Sequence, residues 1–316
     1  MKTRVFIDGS EGTTGLRIHD RLGGRSDVEL LSIAPELRKD ETARKHLIDA
    51  ADVVFLCLPD AAAVQSVSMA SNPETKIIDA STAHRTAPGW AYGFPELSAK
   101  HRMALESSKR TAVPGCHASG FVSLVYPLVS RGVIAPDCPV SAFSLSGYSG
   151  AGKKAIAQYE SENKESDLFA PREYALSQKH KHLPEMKAVT GMTREPLFVP
   201  VIDDYYSGML VTVPLYADML QKYKTPAALR AFFADYYAGQ SLISVMPETD
   251  ADQYSGFLPA NRMTGLDTMR IFVTGNDDRL LCCAMFDNLG KGASGAAVQC
   301  FNIMTGAPET TGLVLG

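Results

Sequence analysis

The chain reads as an α/β protein of two domains, the first built on a parallel sheet and the second on strands that pair largely antiparallel. Three observations predict this. A strand runs through a glycine turn into a helix at the outset, in "RVFIDGSEGTTGLRIHDRL". Apolar strands then alternate with helices up to residue 115. Beyond that point the alternation gives way to an apolar helix and to longer strands rich in Val, Thr, Ile and Phe.

In the opening stretch Gly9, Gly12 and Gly15 lead into a helix carrying Leu16, Ile18 and Leu22. Glycines let a backbone come close to a pyrophosphate, and the free N–H groups of a helix start point at it. The spacing is GxxGxxG rather than GxGxxG, so alone it does not separate a phosphate cradle from a plain tight turn. The segments beyond the turn favour the cradle. "DVELLSIAP", "ADVVFLCLP" and "ETKIIDAST" read as further strands, with helices over "ETARKHLIDA" and "AAAVQSVSMA". Apolar strands alternating with helices imply a parallel sheet covered on both faces, a Rossmann-type dinucleotide-binding domain. An NAD-preferring protein places an acid at the tip of the second strand. Here the tip is Ser32, Ile33 and Ala34, with Glu36 displaced and Arg38 and Lys39 close behind. Two basic residues suit a 2′-phosphate, so NADP(H) is the expected cofactor.

After residue 116 "GFVSLVYPLVSRGVI" reads as an apolar helix. "CPVSAFSLSGYSG", "GMLVTVPLYADM", "QSLISVMPET" and "TMRIFVTGNDDRLLCCAMFDN" read as strands. Together they predict an α+β domain with a largely antiparallel sheet. "NLGKGASGAAVQCFNIMTG" is a glycine-rich turn followed by an apolar helix, as expected of a chain returning to its first domain. The expected division is 1–115 with 289–316 for the nucleotide-binding domain, and 116–288 for the catalytic and oligomerisation domain.

Composition narrows the function classes. A chain of 316 residues, 45% hydrophobic and 21% charged, has room for two real cores. A net charge of -4 with no Lys/Arg-rich block argues against nucleic acid as a partner. No run approaches the ~20 apolar residues that span a bilayer. The opening apolar run is too short for a signal peptide, so a cytoplasmic protein is expected. Of the six cysteines, Cys57, Cys282, Cys283 and Cys300 lie in apolar or helical stretches and Cys138 in a proline-rich turn. With no CxxC and no His/Cys cluster at zinc spacing, neither disulfides nor a metal site are expected.

Cys116 differs from these five. In "TAVPGCHASG" it follows a Pro-Gly break and sits among small residues, a setting that gives access to its sulfur. If it opens the following helix, its sulfur meets that helix's positive end, and backbone N–H groups are ready for an oxyanion. A histidine partner must come from elsewhere, and "QKHKHLPEM" offers His180 and His182. Two residues apart in an extended segment, they would point the same way. Surface histidines among lysines are often merely solvated. His117, adjacent to Cys116, is expected to point elsewhere and is the weaker candidate. A dinucleotide cradle, an accessible cysteine and a distant histidine pair are the parts that aldehyde oxidation through a thioester needs.

At this point the chain resembles the N-acetyl-γ-glutamyl-phosphate reductase family, in its shorter type 2 subclass. The matching pieces are "FIDGSEGTTGL", "DASTAHR", "YGFPEL", "VPGCHASGF", "SGYSGAGKK", "HKHLPE", "SGMLVTVPL" and "DNLGKGASGAAVQ", in family order from residue 6 to residue 299. The resemblance implies NADPH-dependent reduction of N-acetyl-L-glutamyl 5-phosphate to the 5-semialdehyde and phosphate, a step of arginine biosynthesis. It implies Cys116 as the nucleophile and His180 as the general acid/base. Tyr174, His182 and Glu185 match substrate contacts, and Ser149, Gly150 and Lys153 the acyl pocket. Gly9, Gly12, Thr13, Thr14 and Gly15 match the pyrophosphate turn, with Ser81, Asn288 and Gly292 as further cofactor contacts beside the Arg38 and Lys39 read from the strand tip. Members pair a Rossmann domain with a glyceraldehyde-phosphate-dehydrogenase-like or ferredoxin-like one and form dimers or tetramers. Lys153 stands where longer members have arginine, which leaves the carboxylate contact open.

Two related readings remain. Aspartate-semialdehyde dehydrogenases share the thioester logic but follow a Gly-Asn-Cys pattern, whereas this chain has Pro-Gly-Cys. A carrier-linked aminoadipate reductase would need a basic patch that the sequence lacks. A catalytically silent NADP-binding regulator would be marked by loss of the cysteine or the histidine, and both are present. Oxidation of Cys116 as a redox sensor would be a liability of the catalytic role.

Overall fold

The computed structural model describes residues 2–247 and 255–316, which form two compact units. One comprises the chain up to Pro114 together with Ala293–Leu313, the other Gly115–Gly292 with Val314–Gly316. The last three residues stay with the second unit because Asp267 holds them. Its N–H donates to the Val314 carbonyl at 2.7 Å, and its carboxylate accepts from the Val314 N–H at 2.9 Å.

In the first unit β1 (Thr3–Asp8), β2 (Val28–Leu31), β3 (Val53–Leu56), β4 (Lys76–Asp79), β5 (Ala91–Tyr92) and β6 (Arg110–Ala112) form one sheet in the order β2-β1-β3-β4-β6-β5. Every pairing is parallel. Between strands run α1 (Thr13–Gly23), α2 (Glu41–Ala50), α3 (Asp60–Met69) and α4 (Ala99–Ser107). The strands are apolar throughout because alternate residues serve opposite faces. Val5, Ile7, Val53, Phe55 and Ile78 pack with Ile18 and Leu22 of α1 and with Val298 and Phe301 of the returning helix Gly295–Thr305. Phe6, Val54, Leu56 and Ile77 pack on the other face, with Ile48 of α2 and Ala63 of α3. Strand β2 stops at Leu31, so Ser32, Ile33 and Ala34 belong to the loop beyond it.

The second unit opens with α5 (Cys116–Ser130), followed by β7 (Ser141–Gly147), α6 (Lys153–Tyr159), β8 (Arg172–Glu173), α7 (Leu183–Thr190), β9 (Leu197–Asp203) and β10 (Met209–Tyr216). α8 (Pro226–Tyr236), β11 (Ile243–Val245), β12 (Met269–Gly275) and β13 (Arg279–Phe286) complete it. The sheet order is β11-β12-β13-β10-β7-β9-β8. The sheet is largely antiparallel, as the sequence predicts, with two parallel pairings that make it mixed: β7 with β9 and β11 with β12. The long stretch between β7 and β9, which carries α6 and α7, supplies the crossover that a parallel pair requires. The last two residues of "QSLISVMPET" lie outside the described residues.

Helix α5 lies close against this sheet because Gly120 permits it. A Cβ there would come within 2.4 Å of Val211 Cγ2 on β10. Pro127 interrupts the helix's hydrogen-bond ladder and frees the Ser123 carbonyl, which accepts from the buried Tyr237 hydroxyl at 2.6 Å. The opposite face of the sheet is covered at one end by Ala260 and Met263 against Leu210, Phe272 and Met285. Elsewhere it leaves Phe143, Leu197 and Leu281 exposed. Among the described residues no helix is long and apolar enough to cross a membrane, and no group of three or more His, Cys, Asp or Glu could hold a metal ion.

Candidate active site

Cys116 is the first residue of α5 and keeps partial exposure. Gly115 caps the helix with extended backbone and no side-chain cap, so the first-turn N–H groups surround the cysteine. Glu185 fixes this bend, because its carboxylate accepts from the Gly115 N–H at 2.9 Å. That carboxylate lies in the first turn of α7, where a negative charge suits the helix dipole, and it is 2% exposed. The resemblance implies a substrate contact for Glu185; its observed partner is the backbone that aims Cys116. On the other side a Cβ at Gly292 would come within 3.0 Å of the Cys116 Cβ and 3.2 Å of the Asp287 carbonyl. Glycine thus lets that loop lie close against the cysteine.

The histidines converge, though by a different route from the extended segment that their spacing suggests. His182 caps α7 in a helical conformation, and its N–H donates to His180 Nδ1 at 3.1 Å. The tight turn folds the rings together, 4.7 Å apart and nearly perpendicular. With Nδ1 accepting, neutral His180 carries its proton on Nε2 and presents a donor. His180 is half-buried and His182 buried.

The residue that sequence reasoning undervalues is His117. Its ring centre lies 5.5 Å from that of His180 and 5.6 Å from that of His182. Its Nδ1 is 2.6 Å from Ser144 Oγ on β7, and its Nε2 is 2.6 Å from the Tyr174 hydroxyl. Burial, then the electrostatics of neighbouring His180 and Lys181, pushes its pKa down to about 3, so it is neutral. Burial, then Cys116, raises the Tyr174 phenol above its usual range and keeps it protonated. Adjacent helical residues point about 100° apart. His117 therefore turns toward β7 while Cys116 stays at the helix mouth, a direction visible only once the face of α5 against the sheet is known.

In the acyl-pocket motif Ser149 is buried, and its hydroxyl accepts from Asn288 Nδ2 at 3.0 Å. Asn288 Oδ1 in turn accepts from the Gly208 N–H at 2.8 Å. The Asn288 amide thus ties three loops together, where the resemblance implies a cofactor contact. Gly150 is exposed, and a Cβ on it would meet the same Asn288 nitrogen at 3.2 Å. Lys153 is exposed at the first position of α6.

In the other unit the glycine turn fits a dinucleotide. Gly9 has φ +90°, and a Cβ there would lie 2.4 Å from the Cys57 carbonyl. A Cβ on Gly15 would lie 2.4 Å from the Gly9 carbonyl. Helix α1 then starts at Thr13 and Thr14 with Gly12 as its cap, no capping side chain and no acid in its first turn, an arrangement open to phosphate. Arg38 reaches back to this turn and pairs with Glu11 at 3.0 Å, while Lys39 is exposed beside it. The resemblance implies a cofactor contact for Ser81. Its hydroxyl donates to Asp79 at 2.7 Å, and Asp79 also bonds His84 at 2.6 Å, so Ser81 stiffens the turn after β4.

Known proteins match both units. Residues 4–104 match the family described as semialdehyde dehydrogenase, NAD binding domain, and residues 116–288 match semialdehyde dehydrogenase, dimerisation domain. An N-acetyl-gamma-glutamyl-phosphate reductase of Chelativorans sp. is 45% identical over 308 residues, 96% of this chain and 98% of the relative. A second such reductase, from Nostoc sp., is 42% identical over 99% of both chains. Among solved structures, aspartate semialdehyde dehydrogenase from Francisella tularensis superposes with a TM-score of 0.72 at 13% identity, over 96% of this chain and 100% of that one. Aspartate semialdehyde dehydrogenase II from Vibrio cholerae gives 0.73 at 14% identity, over 96% and 99%, and these two likenesses concern the fold alone. The parallel sheet, the mixed sheet and the relatives at 42–45% identity agree: the chain belongs to the semialdehyde dehydrogenase family and, within it, to the N-acetyl-gamma-glutamyl-phosphate reductases.

Proposed function

We propose that this chain reduces N-acetyl-L-glutamyl 5-phosphate to N-acetyl-L-glutamate 5-semialdehyde and phosphate through a thioester on Cys116, as a cytoplasmic step of arginine biosynthesis. The observation that supports the site most is the grouping of Tyr174, His117, His180 and His182 about the start of the helix that Cys116 opens. The Cys116 thiolate attacks the acyl carbon, the bond to the phosphate oxygen breaks, and phosphate leaves. The N–H groups of the first turn of α5 face the oxygen that becomes negative. His180 offers its Nε2 proton to that oxygen, and takes it back as the tetrahedral adduct collapses to aldehyde and thiolate. His182, buried behind it, contributes to binding, and Lys153 is the cation for the substrate carboxylate. Glu185 and Gly292 keep the cysteine aimed.

NADP(H) is the cofactor, held by the glycine turn Gly9–Gly15 with Arg38 and Lys39 at the 2′-phosphate, and when bound it supplies the hydride. Nucleotide binding is assigned to 1–115 with 289–316, and acyl chemistry and oligomerisation to 116–288. The exposed apolar face of β7, β9 and β13 is the surface for self-association as a homodimer or homotetramer. Sedimentation velocity of the purified chain tests this, and a monomer at micromolar concentration would sink it.

The experiment is NADP⁺ reduction with N-acetyl-glutamate 5-semialdehyde, with and without inorganic phosphate. Native activity is expected to require phosphate, and Cys116→Ala to abolish it. Turnover without phosphate would mean that water or another nucleophile cleaves the thioester. Turnover of aspartate semialdehyde in place of the acetylated substrate would overturn the assignment.

A further inference from the structure

A buried hydroxyl in the sheet core gives the histidine next to the cysteine a direction. Ser144 sits mid-strand in β7, between Val211 of β10 and Pro200 of β9, and is fully buried. Its Oγ meets His117 Nδ1 at 2.6 Å, and His117 Nε2 meets the Tyr174 hydroxyl at 2.6 Å. A neutral imidazole has one donor nitrogen and one acceptor. Two proton arrangements are therefore open to the chain of three groups.

In one, Tyr174 donates to Nε2, and Nδ1–H donates to Ser144. The Ser144 proton then needs an acceptor of its own. Among the described residues the only partner of Ser144 Oγ is His117 Nδ1, so that proton would be stranded in the core. A buried donor left unmade is strongly unfavourable. In the other arrangement Ser144 donates to Nδ1, and Nε2–H donates to the Tyr174 oxygen. Every buried proton then has an acceptor. The Tyr174 O–H is left to point away from the core, and Tyr174 is half-buried and electrostatically coupled to Cys116.

We propose that Ser144 and His117 form a one-way hydrogen-bond relay that turns Tyr174 into an outward donor for the oxygen of the acyl group on Cys116. His117 and Ser144 are positioning residues, and Tyr174 touches the substrate. The inference rests on the reading that Cys116 carries the acyl group. The ring contacts of His117 with Phe198 at 5.3 Å and with the two other histidines hold the imidazole in place, and its neutrality keeps one nitrogen an acceptor. The charged and titratable groups around the relay are Cys116, His180, Lys181, His182 and Glu185.

The test is steady-state kinetics of the full chain carrying Tyr174→Phe, His117→Phe, His117→Gln and Ser144→Ala, and the last three again combined with Tyr174→Phe. Tyr174→Phe should lower kcat about 100-fold with KM changed less than about threefold, as loss of an oxyanion donor does. His117→Phe should lose a comparable factor in kcat. His117→Gln, which keeps an N–H toward Tyr174, should recover much of it, and Ser144→Ala should lose about tenfold as the proton order relaxes. Combined with Tyr174→Phe, none of these should cost anything further, because they act only through that hydroxyl. Losses that multiply in the double variants, or a His117→Phe enzyme with native kcat, would overturn the relay. Should His117→Phe not fold, Ser144→Ala with and without Tyr174→Phe decides the question alone. A native enzyme inactive on the acetylated semialdehyde would overturn the functional reading itself, an outcome distinct from an active enzyme with multiplying losses.

Discussion

Two half-buried cysteines lie beside glycines, one in each unit, and differ in the electrostatic field around the thiol. Cys57 follows β3, where its carbonyl forms the floor under Gly9. Burial, then the carboxylates of Asp79 and Asp8, pushes its thiol up to about 12. Cys116 opens a 15-residue helix with no acid in its first turn, and the Glu185 carboxylate accepts from the Gly115 N–H just before it. Both cysteines are half-buried, but one turn gives its thiol a negative field and the other a helix's positive end. Proximity to a glycine turn therefore says nothing about reactivity. The sign of the surrounding field decides it.

The largest expected effect is a difference in labelling rate. Iodoacetamide at pH 7.5 should label Cys116 at least about 100-fold faster than Cys57, in step with loss of activity, since only the thiolate attacks. Mass spectrometry of the labelled peptides reads both sites at once. Equal labelling, or inactivation preceding any label on Cys116, would break the contrast.

Each cysteine also has a glycine pressed against it, which sharpens the comparison. Gly9→Ala would place a Cβ 2.4 Å from the Cys57 carbonyl at φ +90°, so backbone must move. It should cost at least ~2 kcal/mol of stability and weaken NADPH binding. Gly292→Ala would push on the Cys116 side chain from 3.0 Å without a positive φ. Its thermal midpoint should stay within a few degrees of native, while kcat falls about tenfold through misplacement of the sulfur. Calorimetry beside kinetics separates the two. A Gly292→Ala enzyme with native turnover would show that the loop gives way freely.

What is legible in the sequence divides along the same line. Local signals place their elements well: α2 spans "ETARKHLIDA" residue for residue, and α5 begins at Cys116 after the Pro-Gly break. Continuous apolarity in β1 and β3 foretells a sheet covered on both faces, because burial on each side is written along the strand. Directions set by partners distant in sequence are not written locally. Nothing near Ser81, Asn288 or Glu185 announces that their polar atoms serve Asp79, Ser149 and Gly115. His117 is undervalued for the same reason. Its partners on β7 and before α7 are brought to it only when the helix docks. The parallel pairing of β7 with β9 is equally hidden, because alternation along a strand carries no sign of its neighbour's direction.

The smallest effect concerns stability and sharpens the cysteine site's need for a neutral neighbour. An unfolded His117 titrates near 6.5, whereas in the fold burial, then His180 and Lys181, hold it at about 3. Between those values the unfolded chain binds a proton that the folded one refuses. This contribution to stability is thus whole above pH 6.5 and is lost as pH falls toward 3, at up to about 1.4 kcal/mol per pH unit. His101, lowered by burial and then by Lys100, adds a loss of the same sign. It is untouched in His117→Phe, so the difference between the two proteins isolates His117. Urea unfolding at pH 7.5, 6.0 and 5.0 should show native stability falling with a steeper slope than that of His117→Phe, whatever the variant loses at neutral pH. Parallel slopes would mean that His117 takes up its proton inside the fold. An imidazolium there could no longer accept from Ser144, and the relay to Tyr174 would lose its direction.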